Sequence, residues 1–562
     1  MAIRIGWEAL PPFYSCACAR AISLHGVEQV HDPFVADRLP DPGMWPQFRF
    51  DLPDLAYPDR LNAAVELLDS AVAEGEGARL AVVNDAGRWT YGEMKSLSDR
   101  IARVLVEEGG LVPGNRVLLR GPNTCMLIAC WFAVLKAGGI AVTTMPMLRA
   151  GELAPILAKA QVSHALVDSR TLQDWRQAAG RADDLRWTAT FDGDAGTGAL
   201  ETLAAVKPDR FTPYIGRSTD PALIAFTSGT TGTPKGCVHD TRALLAPADT
   251  FARHILKPVP GMRWCGSPPI AFTFGLGALV LFPFMFRGTS VTLESGSPAN
   301  LLDAIGQHKV DMLFTAPTAY KAMLGMLEGA DIASLKTCVS AGEHLPPAVF
   351  DAWEAATGHR LVNGIGATEM MHIFISAAGA DILPGSTGKV VPGYEACVLD
   401  KSGDPLGEGE GRLAVRGPTG CRYLDDPRQA TYVQGGWNVT GDTYRIDAKG
   451  YFHYVARSDD MIVSSGYNIA APEVENALLS HCAVAECAVV GVPDTNRGMI
   501  VKAFVVCAAG EGDAALAKAL QDHVKASIAP YKYPRAVEFV PALPKTLTGK
   551  VQRYRLREEQ LT

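Results

Sequence analysis

One segment carries the densest set of groups that could bind phosphate. Residues 226–240 read FTSGTTGTPKGCVHD and come directly after the apolar run ALIAF, so a buried strand is predicted to lead into a loop rich in Gly, Ser and Thr. Glycine permits backbone conformations that other residues avoid, while the hydroxyl groups of Ser228, Thr230 and Thr231 and the ammonium group of Lys235 can bind phosphate oxygens. These residue types predict a site for the phosphates of ATP.

Two other readings of this loop are disfavoured. A Walker A loop places Gly-Lys-Ser/Thr immediately before a helix, whereas here Pro234 precedes Lys235 and Gly236 follows it. A flexible Gly/Thr linker seldom follows an apolar strand and seldom carries Thr-Gly-Thr-Pro-Lys-Gly in one run. Neither an ordinary P-loop NTPase nor a linker is therefore favoured.

The composition restricts the class of protein. A chain of 562 residues is expected to form at least two domains. The net charge is −8 and no long Lys/Arg run occurs, so the electrostatic signature of a nucleic-acid-binding protein is missing. The most apolar runs, 125–135 and 275–286, are shorter than the ~20 residues of a membrane-spanning helix, so we interpret them as core elements.

The termini and cysteines favour a cytoplasmic protein. The first residues, MAIRIGWEALPPF, lack the apolar segment and cleavage site of a secretory signal. Twelve cysteines are scattered without the CxxC pairs of a zinc site. Reduced thiols in the cytoplasm are the favoured interpretation.

Helical and strand patterns alternate along most of the chain. YGEMKSLSDRIARVLVEEG precedes RVLLR, MLIACWFAVLKAGG precedes IAVTTMP, NLLDAIGQHK precedes VDMLFTAP, and PAVFDAWEAATG precedes RLVNGIG. Repeated αβ units of this kind predict an α/β fold with mostly parallel sheets covered by helices.

The pattern changes in the last third of the chain. Between 385 and 455 the short β-like pieces EACVLD, GRLAVRG and GYFHYVAR predict a small β-rich subdomain. The last ~100 residues, with VVGVPD, KAFVVC and DAALAKALQDHVKASI, predict a compact α+β domain. We therefore expect an N-terminal domain over 1–458 and a mobile C-terminal domain over 459–562.

Further motifs make a family resemblance specific. GIGATE at 364–369, GWNVTGD at 436–442, RSDDMIVSSGYNIAAPEVE at 457–475 and PKTLTGKVQR at 544–553 follow the phosphate loop in order. In order and spacing the chain resembles the adenylate-forming superfamily of acyl-CoA synthetases, peptide-synthetase adenylation domains and firefly luciferase, over roughly residues 80–555. The resemblance implies an ATP-dependent acid:CoA ligase, which forms an acyl-adenylate, releases pyrophosphate, and then forms a thioester with release of AMP.

The resemblance also implies where ATP and magnesium bind. Thr368 and Glu369 match the residues that contact the α-phosphate and hold Mg²⁺, and carboxylate oxygen is a ligand that Mg²⁺ prefers. Asp442 matches a ribose-binding carboxylate; its alternative is a turn-forming Asp. Ile365 stands where many relatives place an aromatic residue against adenine, which leaves aliphatic packing there. The full ATP or AMP set comprises Thr227, Ser228, Gly229, Thr230, Thr231, Gly232, Lys235, Gly342, Glu343, Ile365, Gly366, Ala367, Thr368, Asp442 and Arg457.

Four residues near or within the C-terminal region match positions that serve its movement and chemistry. Arg457 matches an arginine that precedes the hinge and reaches the nucleotide, and Asp459 matches the hinge itself. Gly466 matches the glycine that borders the pantetheine tunnel for CoA. Lys550 matches the lysine that contacts the carboxylate and the α-phosphate, so we expect it to be the main catalytic residue of adenylation, with Thr368 and Glu369.

The acid pocket is predicted from two segments. PPIAFTFGLG at 268–277 supplies Phe272, Thr273 and Phe274, and GATEMMHIF brings Gly366, His372 and Ile373. The second segment resembles aryl-CoA ligases of the benzoate and 2-aminobenzoate type. Benzoate ligases tend to carry a small apolar residue followed by tyrosine where this chain has Thr273 and Phe274, so an ortho-amino group on the acid could hydrogen-bond to the Thr273 hydroxyl. Two alternatives stay open: Thr273 bonded to a backbone carbonyl, and His372 as a satisfied buried histidine.

Other functions share these motifs. An adenylation enzyme that loads a carrier protein, a ligase for another aryl or medium-chain acid, and a non-catalytic acyl-nucleotide binder are the alternatives. The expected partners are a small carboxylic acid, ATP and CoA, with no nucleic acid and no stable membrane insertion. The exact acid and the oligomeric state stay open, with a homodimer among the alternatives.

Overall fold

The predicted alternation of helix and strand is confirmed in the computed structural model. It describes residues 31–227, 234–457, 461–464, 467–494, 498–528, 532–545 and 549–558. The strands of these residues are, in chain order, β1 (Arg60–Leu61), β2 (Leu80–Asn84), β3 (Gly87–Thr90), β4 (Arg116–Arg120), β5 (Ile140–Thr144), β6 (His164–Asp168), β7 (Trp187–Phe191), β8 (Gly216–Arg217), β9 (Pro221–Thr227), β10 (Lys235–Asp240), β11 (Arg263–Gly266), β12 (Thr289–Val291), β13 (Met312–Thr315), β14 (Thr337–Ser340), β15 (Leu361–Gly366), β16 (Ile373–Ser376), β17 (Lys389–Val390), β18 (Glu395–Leu399), β19 (Pro405–Leu406), β20 (Gly409–Arg416), β21 (Val433–Gln434), β22 (Trp437–Ile446), β23 (Phe452–Arg457), β24 (Met461–Ser464), β25 (Tyr467–Ala470), β26 (Val484–Asp494), β27 (Gly498–Cys507) and β28 (Ala536–Phe539).

The helices follow the predicted pattern as well. They are α1 (Ser70–Ala73), α2 (Tyr91–Glu107), α3 (Cys125–Lys136), α4 (Ala150–Ala160), α5 (Leu172–Ala179), α6 (Ala199–Ala205), α7 (Thr241–Pro247), α8 (Thr273–Leu276), α9 (Phe282–Met285), α10 (Pro298–His308), α11 (Pro317–Leu324), α12 (Pro347–Thr357), α13 (Gln429–Tyr432), α14 (Ala471–Leu479), α15 (Ala514–Ser527) and α16 (Arg553–Glu558). No helix of the described ranges is both long and apolar enough to cross a membrane.

Two large sheets with mainly parallel strands form the bulk of the chain. The first has the order β10-β9-β5-β4-β6-β7, in which only β10 runs antiparallel to its neighbour. The second has the order β17-β16-β15-β14-β13-β11-β12-β2-β3, with antiparallel strands at its two edges and a parallel centre. Every residue of α3 is buried, so the apolar run at 125–135 is a core helix, as predicted.

Two smaller sheets and the two-stranded antiparallel sheet β1-β8 complete the fold of the described residues. The β-rich stretch predicted around 385–455 forms an antiparallel sheet, β19-β18-β20-β22-β21, with β23 paired to β22. The C-terminal residues form the sheet β25-β24-β27-β26, with β28 parallel to β27, and α14 and α15 pack beside it over a separate apolar core. The predicted fold class is confirmed. The domain boundary between 458 and 459 falls in the link between β23 and β24 and stays a prediction.

The carboxyl ends of parallel strands supply much of the candidate site. Thr227 ends β9, Ser340 ends β14 two residues before Gly342, and Gly366 ends β15. In α/β sheets, ligands bind in the crevice outside these ends. The topology therefore brings segments that are far apart in sequence to one edge of the two large sheets.

Candidate active site

A tight hairpin holds the base of the predicted phosphate loop. β9 and β10 pair antiparallel, with Lys235 opposite Thr227, so the two ends of the loop lie side by side. The hydroxyl oxygen of Thr227 is buried and has no hydrogen-bond partner among the described residues. The predicted loop residues Ser228, Gly229, Thr230, Thr231 and Gly232 lie outside those residues, so their contacts stay a prediction.

Lys235, Tyr423 and Glu369 form a short chain of polar contacts. Lys235 Nζ donates a 3.0 Å hydrogen bond to the Tyr423 hydroxyl, which donates to Glu369 Oε1. Lys235 Nζ also lies 3.7 Å from the same carboxylate oxygen and 5.0 Å from the centre of the Tyr423 ring. A cation from the phosphate loop and a 7% exposed carboxylate are thus fixed to each other through one phenol.

The Tyr423 hydroxyl is held in its protonated form. Burial raises the pKa of Tyr423 far above its ordinary value, and the neighbouring Glu369 carboxylate raises it further. A neutral phenol can accept a hydrogen bond from Lys235 and donate one to Glu369 at the same time. The hydrogen bonds therefore run in one direction, from Lys235 to Tyr423 and from Tyr423 to Glu369.

His239 fixes the turn that carries Thr368 and Glu369. Its buried Nε2 lies 2.8 Å from the Thr368 carbonyl oxygen, so Nε2 carries the hydrogen and donates it. His239 belongs to β10, in the same strand as Lys235. One strand therefore positions both the phosphate-loop lysine and the carboxylate that faces it.

A strained turn follows the glutamate. Met371 has φ 65° and ψ −39°, and the His372 N–H donates to the Met370 carbonyl at 2.7 Å. A three-residue γ-turn with positive φ is rare and strained in L-residues. Gly366 packs closely against the backbone of this turn. A Cβ atom at Gly366 would lie only 2.7 Å from the His372 carbonyl oxygen, so there is no room for a side chain. Ala367 directly precedes the short helix Thr368–Met370 that leads into this turn. The turn places His372, a predicted pocket residue, only three residues after Glu369.

Asp442 and Arg457 face each other across neighbouring strands. They are register partners of β22 and β23, and Arg457 Nη1 donates to Asp442 Oδ1 at 3.2 Å. Burial raises the pKa of the Asp442 carboxyl, and the Arg457 charge opposes this effect. A buried carboxylate held by one arginine retains acceptor capacity for two vicinal hydroxyl groups.

Lys550 lies close enough to several site charges for its pKa to be affected by them. Its side chain is exposed, yet the surrounding protein lowers its pKa through desolvation; Glu343 and Asp442 raise the pKa, and Arg457 lowers it. Glu343, which follows Gly342 at φ +88°, accepts two 3.4 Å hydrogen bonds from the backbone N–H and hydroxyl of Thr318. Burial raises the pKa of Glu343, and the charge of Lys550 acts against this. The predicted catalytic lysine is thus brought to the predicted nucleotide residues.

The segment predicted to wall the acid pocket is held by a buried amide. Asn123 donates to the Pro268 carbonyl at 3.1 Å and accepts from the Ile270 N–H at 2.8 Å. Phe272 precedes α8, Thr273 is its first residue and is buried, and Phe274 is half-buried against the main core. These two hydrogen bonds fix the backbone of the segment just before Phe272.

His372 is buried among aromatic rings. The residue is 2% exposed, and neither ring nitrogen makes a hydrogen bond of ordinary geometry with the described residues, although the Phe274 backbone interacts with the ring and opposes the effect of burial on its pKa. Its ring centre lies 4.7 Å from Phe282, 5.5 Å from Phe251 and 5.6 Å from Phe274. Burial lowers the pKa of His372 to about 3, so the ring is neutral. The alternative of a satisfied buried histidine therefore depends on the Phe274 backbone alone, which can serve only one of the two ring nitrogens.

Two isoleucines complete the nonpolar surroundings. Ile373 is fully buried in β16, and Ile365 is half-buried in β15, where it pairs with Ile375. A Cβ atom at Gly364 would lie 2.8 Å from the Ile373 side chain, so β15 has space for glycine at the point where it passes Ile373 but not for a larger residue. Phe274 of the first segment and Ile373 of the second therefore pack in the same apolar core. Asp459 and Gly466, predicted at the hinge and the CoA tunnel, lie outside the described residues.

Sequence reasoning missed Tyr423, His239, Asn123 and Thr318. Tyr423 lies 54 residues from Glu369, and His239 lies 129 residues from Thr368. No local pattern joins such pairs. Of the four residues, only His239 could have been predicted from the sequence. It lies on the same face of strand β10 as Lys235 and Cys237, because side chains alternate along a strand.

Two family models match the chain. A model described as AMP-binding enzyme matches residues 69–422, and one described as AMP-binding enzyme C-terminal domain matches 473–550. Together they include Lys235, Glu369 and Lys550 and cover most of the described residues.

Curated proteins resemble the chain over nearly its whole length. The benzoate–CoA ligase of Thauera aromatica is 34% identical over 90% of this chain and 97% of the relative. The mitochondrial acyl-coenzyme A synthetase ACSM4 of Homo sapiens is 35% identical over 90% of this chain and 91% of its own. Relatives that carry aromatic and general acyl names are therefore similarly distant.

A solved structure agrees with the fold. The anthranilate CoA ligase AuaEII in complex with anthranoyl-AMP superposes with a TM-score of 0.85 and 31% identity, over 91% of this chain and 99% of that one. Most of this chain therefore shares its fold with a protein crystallised with anthranoyl-AMP.

Proposed function

Because the chain belongs to the AMP-binding enzyme family and is an AMP-forming acid–thiol ligase, we propose that it activates an aromatic carboxylic acid and transfers the acyl group to CoA. In the first step a carboxylate oxygen attacks the α-phosphorus of ATP and pyrophosphate leaves. In the second the CoA thiol attacks the acyl carbonyl carbon, loses its proton, and AMP leaves. Benzoate and 2-aminobenzoate are the acids we favour.

The polar residues divide the first step between them. Lys235 and the phosphate loop bind the phosphates that leave as pyrophosphate, and Asp442 accepts hydrogen bonds from the ribose hydroxyls. Lys550 stands beside the carboxylate of the acid and the α-phosphate. Two anions must meet there, and a positioned cation stabilises the charge that develops as the bond to pyrophosphate breaks.

The chemistry of Glu369 fits a magnesium ion bound with ATP. Mg²⁺ usually binds through one or two carboxylates together with substrate phosphates, and Glu369 is a buried carboxylate whose contacts with Lys235 and Tyr423 both fall on Oε1. When bound, the ion supplies charge neutralisation on the phosphates. Thr368, which directly precedes Glu369, adds a hydroxyl group for the α-phosphate.

His372 is the observation that favours an aromatic acid with a polar ring substituent. The Phe274 backbone can serve one ring nitrogen at most, and the other is a buried polar atom whose unmade hydrogen bond costs free energy that a ligand with a hydrogen-bonding group can recover. Phe274 is partly exposed and its ring contacts the His372 ring, so only the Phe274 side chain separates His372 from the accessible surface on that side. An ortho-amino group on the acid, or the Thr273 hydroxyl with it, completes such a site.

The movement of the C-terminal region is part of the proposal. We place the domain boundary between 458 and 459, with Asp459 as the hinge and Gly466 beside the pantetheine arm of CoA. Lys550 stands at the nucleotide residues for the first step and must leave for the thiol to reach the adenylate. The carrier-protein alternative shares the first step and differs only in the thiol.

A substrate panel tests the proposal. AMP release is measured with ATP, Mg²⁺ and CoA for benzoate, 2-aminobenzoate, 2-hydroxybenzoate, phenylacetate and octanoate. We expect the two favoured acids to give the highest kcat/KM. A preference for octanoate over every aromatic acid contradicts the substrate class and leaves the ligase reaction intact, whereas AMP release only with an added carrier protein replaces CoA as the acceptor.

A further inference from the structure

A lysine of the large N-terminal region bonds directly to the C-terminal sheet. Lys321, an exposed residue of α11, donates from Nζ to the Ala485 carbonyl oxygen at 2.9 Å. Ala485 lies in β26, the edge strand of the C-terminal sheet. Two segments on opposite sides of the predicted domain boundary are therefore joined by a charged hydrogen bond.

The acceptor of this bond is set apart from its own sheet. The register of β26 against β27 shifts between Val484 and Glu486, so Ala485 is the extra residue of a β-bulge. A bulged residue lies outside the regular hydrogen-bonding ladder, and bulges are common beside active sites. The bulge supplies the carbonyl group to which Lys321 donates.

A second contact joins the same two regions. The His344 ring stacks on Tyr454 at 4.9 Å, and its Nε2 lies 3.4 Å from Asn476 Nδ2 of α14. Burial lowers the pKa of His344 to about 4, and Arg553 acts in the same direction, so at neutral pH the ring is uncharged. An uncharged Nε2 can accept the amide hydrogen of Asn476.

Both contacts are made by segments that carry or bond to Glu343, the carboxylate whose pKa is affected by Lys550. Glu343 directly precedes His344, and Thr318, which donates to Glu343, lies one helical turn before Lys321 in α11. We call Thr318, Lys321, Glu343 and His344 the docking face. The same face thus contacts the C-terminal region at Asn476 and Ala485 and presents a negative charge to Lys550.

We propose that Lys321 and His344 are positioning residues that hold the C-terminal region in the orientation that forms the acyl-adenylate. The inference rests on the proposed function, in which Lys550 must be present for the first step and absent for the second. Neither residue touches the reacting atoms in this account. Their loss lowers the population of one orientation, and so it slows only the half-reaction that needs it.

The test measures the two half-reactions separately. Acid-dependent pyrophosphate release reports adenylation, and thioester formation from supplied acyl-adenylate and CoA reports the second step. We expect Lys321→Met to slow adenylation about fivefold, the change that corresponds to a net hydrogen-bond free energy of about 1 kcal/mol. Thioester formation stays unchanged or becomes faster.

Matched variants separate positioning from general damage. Lys321→Arg keeps a charged donor and is expected to restore adenylation. His344→Phe keeps the stacking on Tyr454 but removes the acceptor, and is expected to act like Lys321→Met. Lys309→Met is the control, because Lys309 is an exposed lysine whose 2.7 Å bond to Asp331 stays within the N-terminal region.

The outcomes are distinct. Equal slowing of both half-reactions by Lys321→Met, or no change in either, overturns the positioning role. Failure of every acid to release pyrophosphate with the unmodified protein counts against the proposed function instead. Slowing by Lys309→Met equal to that by Lys321→Met also overturns the inference, because it makes the effect one of surface charge.

Discussion

Lys235 and Glu369 lie 3.7 Å apart, and the hydroxyl group of Tyr423 bonds to both. The lysine closes the predicted phosphate loop, and the glutamate begins the turn that leads to the predicted acid pocket. If the two charged groups bind ATP as proposed, this arrangement holds them in place before any nucleotide binds. Preorganised groups of this kind need little rearrangement in the transition state.

The Tyr423 hydroxyl can be removed with little change in shape. We expect Tyr423→Phe to lower kcat/KM for ATP about tenfold, because Lys235 loses its acceptor and Glu369 loses a buried donor. The control is Tyr432→Phe, in the neighbouring ring 5.8 Å away, whose buried hydroxyl has no hydrogen-bond partner among the described residues. Equal effects of the two substitutions argue against the polar chain.

The lowered pKa of Lys550 predicts a pH dependence for the first step. Adenylation needs the charged amine, so its rate should fall as pH rises through the pKa of Lys550, which desolvation places below the ordinary value for lysine. Lys550→Arg keeps its charge at all accessible pH values, so any activity it retains should lack this alkaline decline.

The same lysine predicts a separation of half-reactions. Lys550→Ala should slow acid-dependent pyrophosphate release by roughly a hundredfold or more, the scale of losing one preorganised charge-stabilising group. Thioester formation from supplied acyl-adenylate should persist. Lys545→Ala, which removes a neighbouring lysine paired with Glu486, is the control. Equal loss of both half-reactions contradicts the role given to Lys550.

His372 gives a prediction about substrate choice. His372→Leu removes both ring nitrogens at similar volume, so it should lower kcat/KM for 2-aminobenzoate about tenfold relative to benzoate. It should destabilise the fold little through lost hydrogen bonds, because neither ring nitrogen makes one of ordinary geometry with the described residues. An unchanged ratio between the two acids excludes a direct bond from His372 to the ring substituent.

The γ-turn at Met371 can be tested through stability. Met371→Gly and Met371→Ala delete the same buried side chain, but only glycine relieves the positive φ, so the glycine variant should be more stable to denaturant by about 1 kcal/mol. The buried Met370 has negative φ, and there alanine should be the more stable variant. The same order at both positions contradicts strain at Met371.

Local sequence was enough to predict most of the fold. The alternation of helices such as α2 and α3 with β4 and β5 depends on periodicity and turn residues, which are local, and the apolar composition of α3 predicted its burial. The residues brought together at the site were predicted from motifs. Their partners Tyr423 and Thr318 were not, because each contact is made by the topology of strands and loops far apart in sequence.

His372 marks the other limit of the sequence. Its place in a pocket segment was predicted, but a sequence cannot show that neither ring nitrogen makes a hydrogen bond of ordinary geometry, since that depends on the packing of Phe251, Phe274 and Phe282 around it. Lys321 shows the same limit. From the sequence it is an exposed lysine in an amphipathic helix, and only the structure shows that it bonds to the bulged residue Ala485.

The central claim is that a carboxylate oxygen of the acid attacks the α-phosphorus of ATP. The most direct test uses benzoate or 2-aminobenzoate labelled with ¹⁸O in the carboxyl group, with ATP, Mg²⁺ and CoA, and mass analysis of the products. We predict that one ¹⁸O atom appears in the phosphate of AMP and none in pyrophosphate. Label in inorganic phosphate with formation of ADP, or unlabelled AMP, would contradict the account.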